Sequence, residues 1–149
     1  MLRLSKLTDY ATVILSHMAE NKTRLFAAQE ISESTGIAAP TVSKLLKKLS
    51  KAGLVSSARG AKGGYRLAKS PERITVAMVV SILEGPVALT ECNESHKSCE
   101  QASGCHIQGR WHLINLKIAQ ALESVTLADM IAPAVQPEEH YIPVSSLYR

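Results

Sequence analysis

The stretch that most narrows what this chain can fold into is GLVSSARGAKGGYRLAKS, residues 53–70. Two short strand-like runs, around Leu54–Ala58 and Tyr65–Ala68, flank the loop RGAKGG, whose three glycines permit a tight reversal with positive φ. Arg59, Lys62 and Arg66 make this hairpin basic. Directly before it stands GIAAPTVSKLLKKLSKAG. Pro40 suits the first turn of a helix, where its missing N–H is no loss. Val42, Leu45, Leu46 and Leu49 recur at helical spacing as a buried face, and Gly53 stops the helix. Thr41, Ser43, Lys44, Lys47, Lys48 and Lys51 fall on the remaining surface. A brief helix around Ile31, closed by Gly36, precedes it. Two short helices across a tight turn, followed at once by a basic hairpin, are the sequence of a winged helix-turn-helix. Its second helix suits a major groove, and its wing suits phosphates or the adjacent minor groove.

The other segments read as mainly α. A first helix over roughly residues 6–20 carries the apolar stripe Leu7, Ala11, Ile14, Leu15 and Met18. Thr75 caps a helix with Val76, Val79, Val80 and Leu83 on one face, ended by Gly85; it should complete the winged core. Farther on, Trp111, Ile114, Ile118, Ala121, Leu122 and Val125 form the stripe of a long amphipathic helix with no obvious partner left in a chain of 149 residues. Dimerisation through that helix is expected, because helix-turn-helix proteins usually read two-fold sites as dimers. TLADMI reads as a further short helix capped by Thr126. PAVQPEEHYIPVSSLYR has three prolines and no periodicity, and is expected to be a flexible tail. The division is a DNA-binding domain over 1–85, a cysteine loop over 86–108, a dimerisation region over 109–132 and the tail over 133–149.

Charge sorts the two halves. Residues 1–75 hold 13 Lys and Arg against 5 Asp and Glu, a net of +8, whereas residues 76–149 hold 4 against 8, a net of −4. A basic half beside an acidic half points the first toward a polyanion. No apolar run reaches the ~18 residues that a membrane span needs. The opening segment reads as an amphipathic helix and not as a signal peptide, so a cytoplasmic protein with no membrane partner is expected.

All three cysteines lie between Cys92 and Cys105, separated by six and then five residues, in a polar loop. An odd number of thiols does not build a disulfide framework, and in a reducing compartment such a group binds metal or senses redox state. The spacing is too wide for the compact knuckle of a zinc site. Soft thiolates suit an iron–sulfur cluster, and a polar loop keeps a cluster accessible. Zinc and a cluster-free thiol switch remain open on the residues alone.

LRLSKLTDYA, GLVSSARGAKGGYRL, the three-cysteine loop and the RWHLIN…VTLADM region together resemble the IscR/NsrR-like family of bacterial winged-helix regulators that carry an iron–sulfur cluster. The similarity covers about residues 1–132 and is nearest to regulators of the SUF cluster-assembly system. It implies a homodimer on double-stranded promoter DNA, a repressor of iron–sulfur assembly genes whose affinity follows cluster status, redox stress or nitric oxide. It also implies a 2Fe–2S or 4Fe–4S cluster held by Cys92, Cys99 and Cys105. In the family a histidine three residues after the last cysteine can complete the set; here that position is Gln108, a poor ligand. His106 adjoins Cys105 and is awkwardly placed, and His96 is read as solvated. Asp9 is the candidate fourth ligand, because some relatives have an aspartate there that reaches the cluster from the partner subunit. Asp9 could instead complement the positive end of the first helix. Thr41, Ser43 and Lys44 stand where the family's recognition helix faces bases. Arg59 matches its minor-groove arginine, with Lys48 and Lys62 as further DNA contacts.

An enzyme is not expected. The sequence has no phosphate-cradling glycine loop, no Ser/His/Asp arrangement and no paired carboxylates in a plausible cleft, and so no small-molecule substrate is implied.

Overall fold

The structure, a computed structural model, describes residues 3–21, 23–60, 63–89, 107 and 110–133. Cys92, Cys99, Cys105, Lys62, His96, His106 and Gln108, and the tail after Pro133, lie outside the described residues.

Helix α1 spans Lys6–Ala19 and starts on Ser5, whose side chain accepts the Thr8 amide. It buries Ala11, Ile14, Leu15 and Met18, as the spacing predicts, together with Thr8 and Ala19. Leu7 departs from the expected stripe and stands 39% exposed. Thr8 takes the inward position instead, and its hydroxyl donates to the Glu84 carboxylate.

Helices α2 (Ala28–Thr35) and α3 (Ala39–Lys51) form the helix-turn-helix. Gly36 makes the turn at φ 73°, a conformation that glycine adopts without strain. The Ser32 hydroxyl donates to the Ile37 carbonyl at 2.7 Å and so fixes the turn from inside. Val42, Leu45, Leu46 and Leu49 of α3 are all buried. They turn the polar residues of the helix outward.

Strands β1 (Val55–Ala58) and β2 (Gly64–Leu67) pair antiparallel, with Val55 opposite Leu67 and Ala58 opposite Gly64. The loop glycines serve two purposes where one was expected. Gly60 has φ 110° and makes the reversal, whereas Gly63 and Gly64 are not in the positive-φ region. Gly64 is required for close approach: a Cβ there would lie 2.8 Å from the Phe26 carbonyl oxygen. That contact lets Phe26 and Tyr65 bridge, so the segment before α2 becomes a third edge for the wing.

A short 3-10 turn (Pro71–Arg73), absent from the sequence reading, leads into α4 (Val76–Glu84). Thr75 caps α4, its side chain accepting from the Met78 amide at 3.2 Å. Helix α5 (Arg110–Ser124) packs on α4, and α6 (Leu127–Ile131) packs on α1. Leu127 enters the common core, so the chain returns to the winged domain after α5. The face that α5 turns to α4 matches the expected stripe in part, with Trp111, Ile118 and Leu122 half-buried. Asn115 is its buried residue, while Ile114 and Val125 are 45% and 37% exposed. Among the described residues no helix is long and apolar enough to cross a membrane.

Candidate nucleic-acid interface

The outer surface of α3 is built by the inner one. With four aliphatic residues buried on one side, Lys44, Lys47 and Lys51 are left exposed along the opposite side, and Thr41 and Ser43 are half-buried beside them. Arg59 is exposed at the end of β1, where the wing begins to turn. Arg66 lies on the paired strand and donates from Nε to the Ser56 hydroxyl at 3.4 Å, a long contact that orients the guanidinium along the hairpin. The recognition helix and the wing thus each carry exposed basic side chains, the residue type that engages phosphates and groove edges.

Lys48 behaves differently from its neighbours. It stands on the shoulder of α3 beside α4 and donates its Nζ to the Leu83 carbonyl at 3.1 Å. Asp9 is exposed in the first turn of α1, where the helix dipole favours an anion. Its own amide donates to the Ser5 carbonyl at 3.2 Å.

Beside Asp9, Glu84 at the end of α4 accepts the Ser5 amide at 2.8 Å and the Thr8 hydroxyl. The Thr8 hydroxyl, and after it the Ser5 amide, hold the Glu84 carboxyl below its ordinary pKa. Past Gly85 and Pro86, the Leu89 amide donates to the Asn115 side-chain oxygen at 3.1 Å. That bond fastens the approach to the cysteine segment onto α5. Sequence reasoning missed Glu84, Thr8 and Asn115 as contributors, since each acts across tens of residues and carries no local motif.

Among the described residues no group of three or more His, Cys, Asp or Glu side chains gathers to hold a metal. The donor set in the sequence is nonetheless suited to an iron–sulfur cluster, with three thiols in one segment of the sequence and an exposed carboxylate, Asp9, in the first turn of α1.

A winged helix-turn-helix with a basic recognition helix and a basic wing defines a DNA-binding transcriptional regulator. The chain belongs to the Rrf2 family, iron-dependent transcriptional regulators, whose model matches residues 4–133. It is 30% identical to the HTH-type transcriptional regulator NsrR of Shouchella clausii, over 87% of this chain and 89% of that one. Its fold is similar to that of IscR from T. potens (TM-score 0.66, 30% identity, 87% of this chain and 86% of that one). It is likewise similar to CymR, the global cysteine regulator of B. subtilis (TM-score 0.69, 29% identity, 88% of this chain and 97% of that one).

Proposed function

We propose that this regulator works as a homodimer that holds an iron–sulfur cluster on Cys92, Cys99 and Cys105, with Asp9 of the partner subunit as fourth ligand. Cluster state then sets its affinity for promoter DNA, and occupancy of the promoter represses it. The observation that supports this reading is the anchoring of Glu84, at the end of α4 before the chain runs on to the cysteines, on Ser5 and Thr8 at the head of α1, next in sequence to the exposed Asp9. When bound, the cluster supplies an oxidant-sensitive group; the chain's own residues supply the thiolates, one exchangeable oxygen ligand and the DNA-reading surface.

In this reading Thr41, Ser43 and Lys44 face bases and phosphates in the major groove. Arg59 enters the neighbouring minor groove, and Lys62 follows it on the wing. Leu113, Leu116 and the exposed Ile114 of α5 supply an apolar face for a second copy.

The test is anaerobic purification followed by visible spectroscopy. Wild-type protein is expected to be coloured. Each of Cys92→Ala, Cys99→Ala and Cys105→Ala is expected to be colourless with its helical circular dichroism intact, because the core lies elsewhere. Asp9→Ala is expected to keep a cluster with a changed spectrum and faster loss in air. The likeness to CymR supports a second reading, a thiol- or zinc-based regulator without a cluster. A colourless wild-type protein that binds its duplex with full affinity would select it.

A further inference from the structure

The last turn of α4 receives a hydrogen bond from each of two elements that regulation has to connect. From the recognition helix, Lys48 donates to the Leu83 carbonyl at 3.1 Å. From the head of α1, the Ser5 amide and the Thr8 hydroxyl donate to the carboxylate of the next residue, Glu84. Both contacts are electrostatically matched to the helices they join. The Leu83 carbonyl belongs to the C-terminal turn of α4, whose carbonyls lack helical partners and whose dipole end is negative, so it attracts an ammonium. Glu84 lies at the positive end of α1, which attracts a carboxylate.

Two further features give this turn its position. Thr8, which is buried, immediately precedes Asp9. Gly85, with φ 95°, immediately follows Glu84 and leads through Pro86 toward the cysteine segment. A pull on Asp9 reaches Glu84 through Thr8, and a pull on the cysteine segment reaches it through Gly85. Either displacement moves the Leu83 carbonyl, and with it the anchor of Lys48. The Lys48–Leu83 and Ser5–Glu84 bonds lie at the surface, whereas the Thr8–Glu84 bond is part-buried.

We propose that Lys48, Leu83, Glu84 and Thr8 form the junction that carries the state of the cysteine segment to the recognition helix. Lys48 and Glu84 are positioning residues in it, and Lys48 is not a phosphate contact. The inference rests on the cluster reading above and adds the path by which that cluster acts on DNA binding. A path of this kind has physical content only if both ends bias one element, here the last turn of α4.

The experiment uses the full chain, purified without air, with its cluster and after the cluster has been removed. The probes are a duplex selected from a randomised pool by the wild-type protein, and a random duplex. The quantity read is the ratio of affinities for the selected duplex with and without the cluster. Glu84→Ala and Lys48→Met are each expected to bring that ratio toward one while visible absorption and helical circular dichroism persist. Glu84→Gln keeps an acceptor oxygen for Ser5 and Thr8, and is expected to restore the wild-type ratio. On the random duplex, Lys48→Met is expected to leave the salt slope unchanged. A slope lower by ~0.9 is the signature of a lost phosphate contact and would overturn the assignment of Lys48. A wild-type ratio retained in both Glu84→Ala and Lys48→Met would overturn the junction while the cluster reading stood. A wild-type protein that holds no cluster, or whose affinity ignores it, removes the cluster reading and the junction together, before any variant is compared.

Discussion

Phe26 and Tyr65 exchange both main-chain hydrogen bonds, Phe26 N–H to the Tyr65 oxygen at 2.8 Å and Tyr65 N–H to the Phe26 oxygen at 2.9 Å. The wing is thereby bound to the segment that leads into the helix-turn-helix, and does not rest on its own two strands. Gly64 makes the exchange possible, since a Cβ there would collide with the Phe26 main chain. Gly64→Ala is expected to destabilise the protein by about 1–3 kcal/mol, the range for forced overpacking. Thermal melts would show the loss. Hydrogen exchange should speed up first at the Phe26 and Tyr65 amides, and unchanged protection there would refute the assignment.

On the proposed reading, reading and holding DNA are expected to separate at Arg59 and Lys47, which is exposed on α3. Lys47→Ala is expected to weaken a selected duplex and a random duplex together and to lower the salt slope by about 0.9, as one lost phosphate contact does. Arg59→Ala is expected to weaken the selected duplex by roughly 1–3 kcal/mol more than the random one, because a minor-groove arginine senses groove width. Affinities of both duplexes across several salt concentrations distinguish the two. An equal loss on both for Arg59→Ala would confine the wing to backbone contacts.

The clamp on Glu84 links stability to acid. A carboxyl whose folded pKa is depressed, as that of Glu84 is by Thr8 and then Ser5, adds stability above the ordinary carboxylate range and loses it as pH falls through the folded value. Glu84 is exposed, so the effect is small. Melting temperatures measured from neutral pH downward should fall more steeply in the wild type than in Glu84→Gln, which cannot ionise. Coincident curves would show that the bond forms equally well with the protonated acid.

The outer face of α5 is tested by charge. Leu113 is 62% exposed and Ile114 adjoins it. Leu113→Glu together with Ile114→Glu is expected to shift the chain to a monomer in sedimentation without loss of helical signal. DNA affinity should fall as the two half-sites lose their link. A wild-type mass in the double variant would place the interface elsewhere.

The recognition helix and the wing were legible because their information is local. Val42, Leu45, Leu46 and Leu49 recur at helical spacing whatever they touch, and basic residues beside a glycine loop mark a hairpin by themselves. Leu7 and Thr8 were not legible. Apolar count favours Leu7 for the core, whereas Thr8 is the buried residue and its hydroxyl donates to a carboxylate 76 positions away. The same holds for α5, where a buried asparagine, Asn115, occupies a position that hydropathy assigns to the surface. It is held there by a main-chain amide from Leu89. Lys48 reads as one more lysine of a basic helix, and its distinct role depends on where α4 ends. The cysteine segment is the converse case: its spacing points to a chemistry, while its ligand geometry lies outside the described residues.

The bridge between Thr75 and Thr126 governs how far α5 can swing. The Leu127 amide donates to Ile74 at 2.7 Å and the Val76 amide to Val125 at 2.9 Å, so the downstream end of α5 is riveted to the strand-like approach of α4. An arm fixed in this way cannot pivot as a separate lever. A second copy seated on α5 would be carried at a set distance and angle from the first recognition helix, like the opposite leg of a locked pair of dividers. Such a dimer tolerates little change in the gap between half-sites, and inserting a few base pairs at an operator's centre should abolish binding more completely than altering any single base within a half-site.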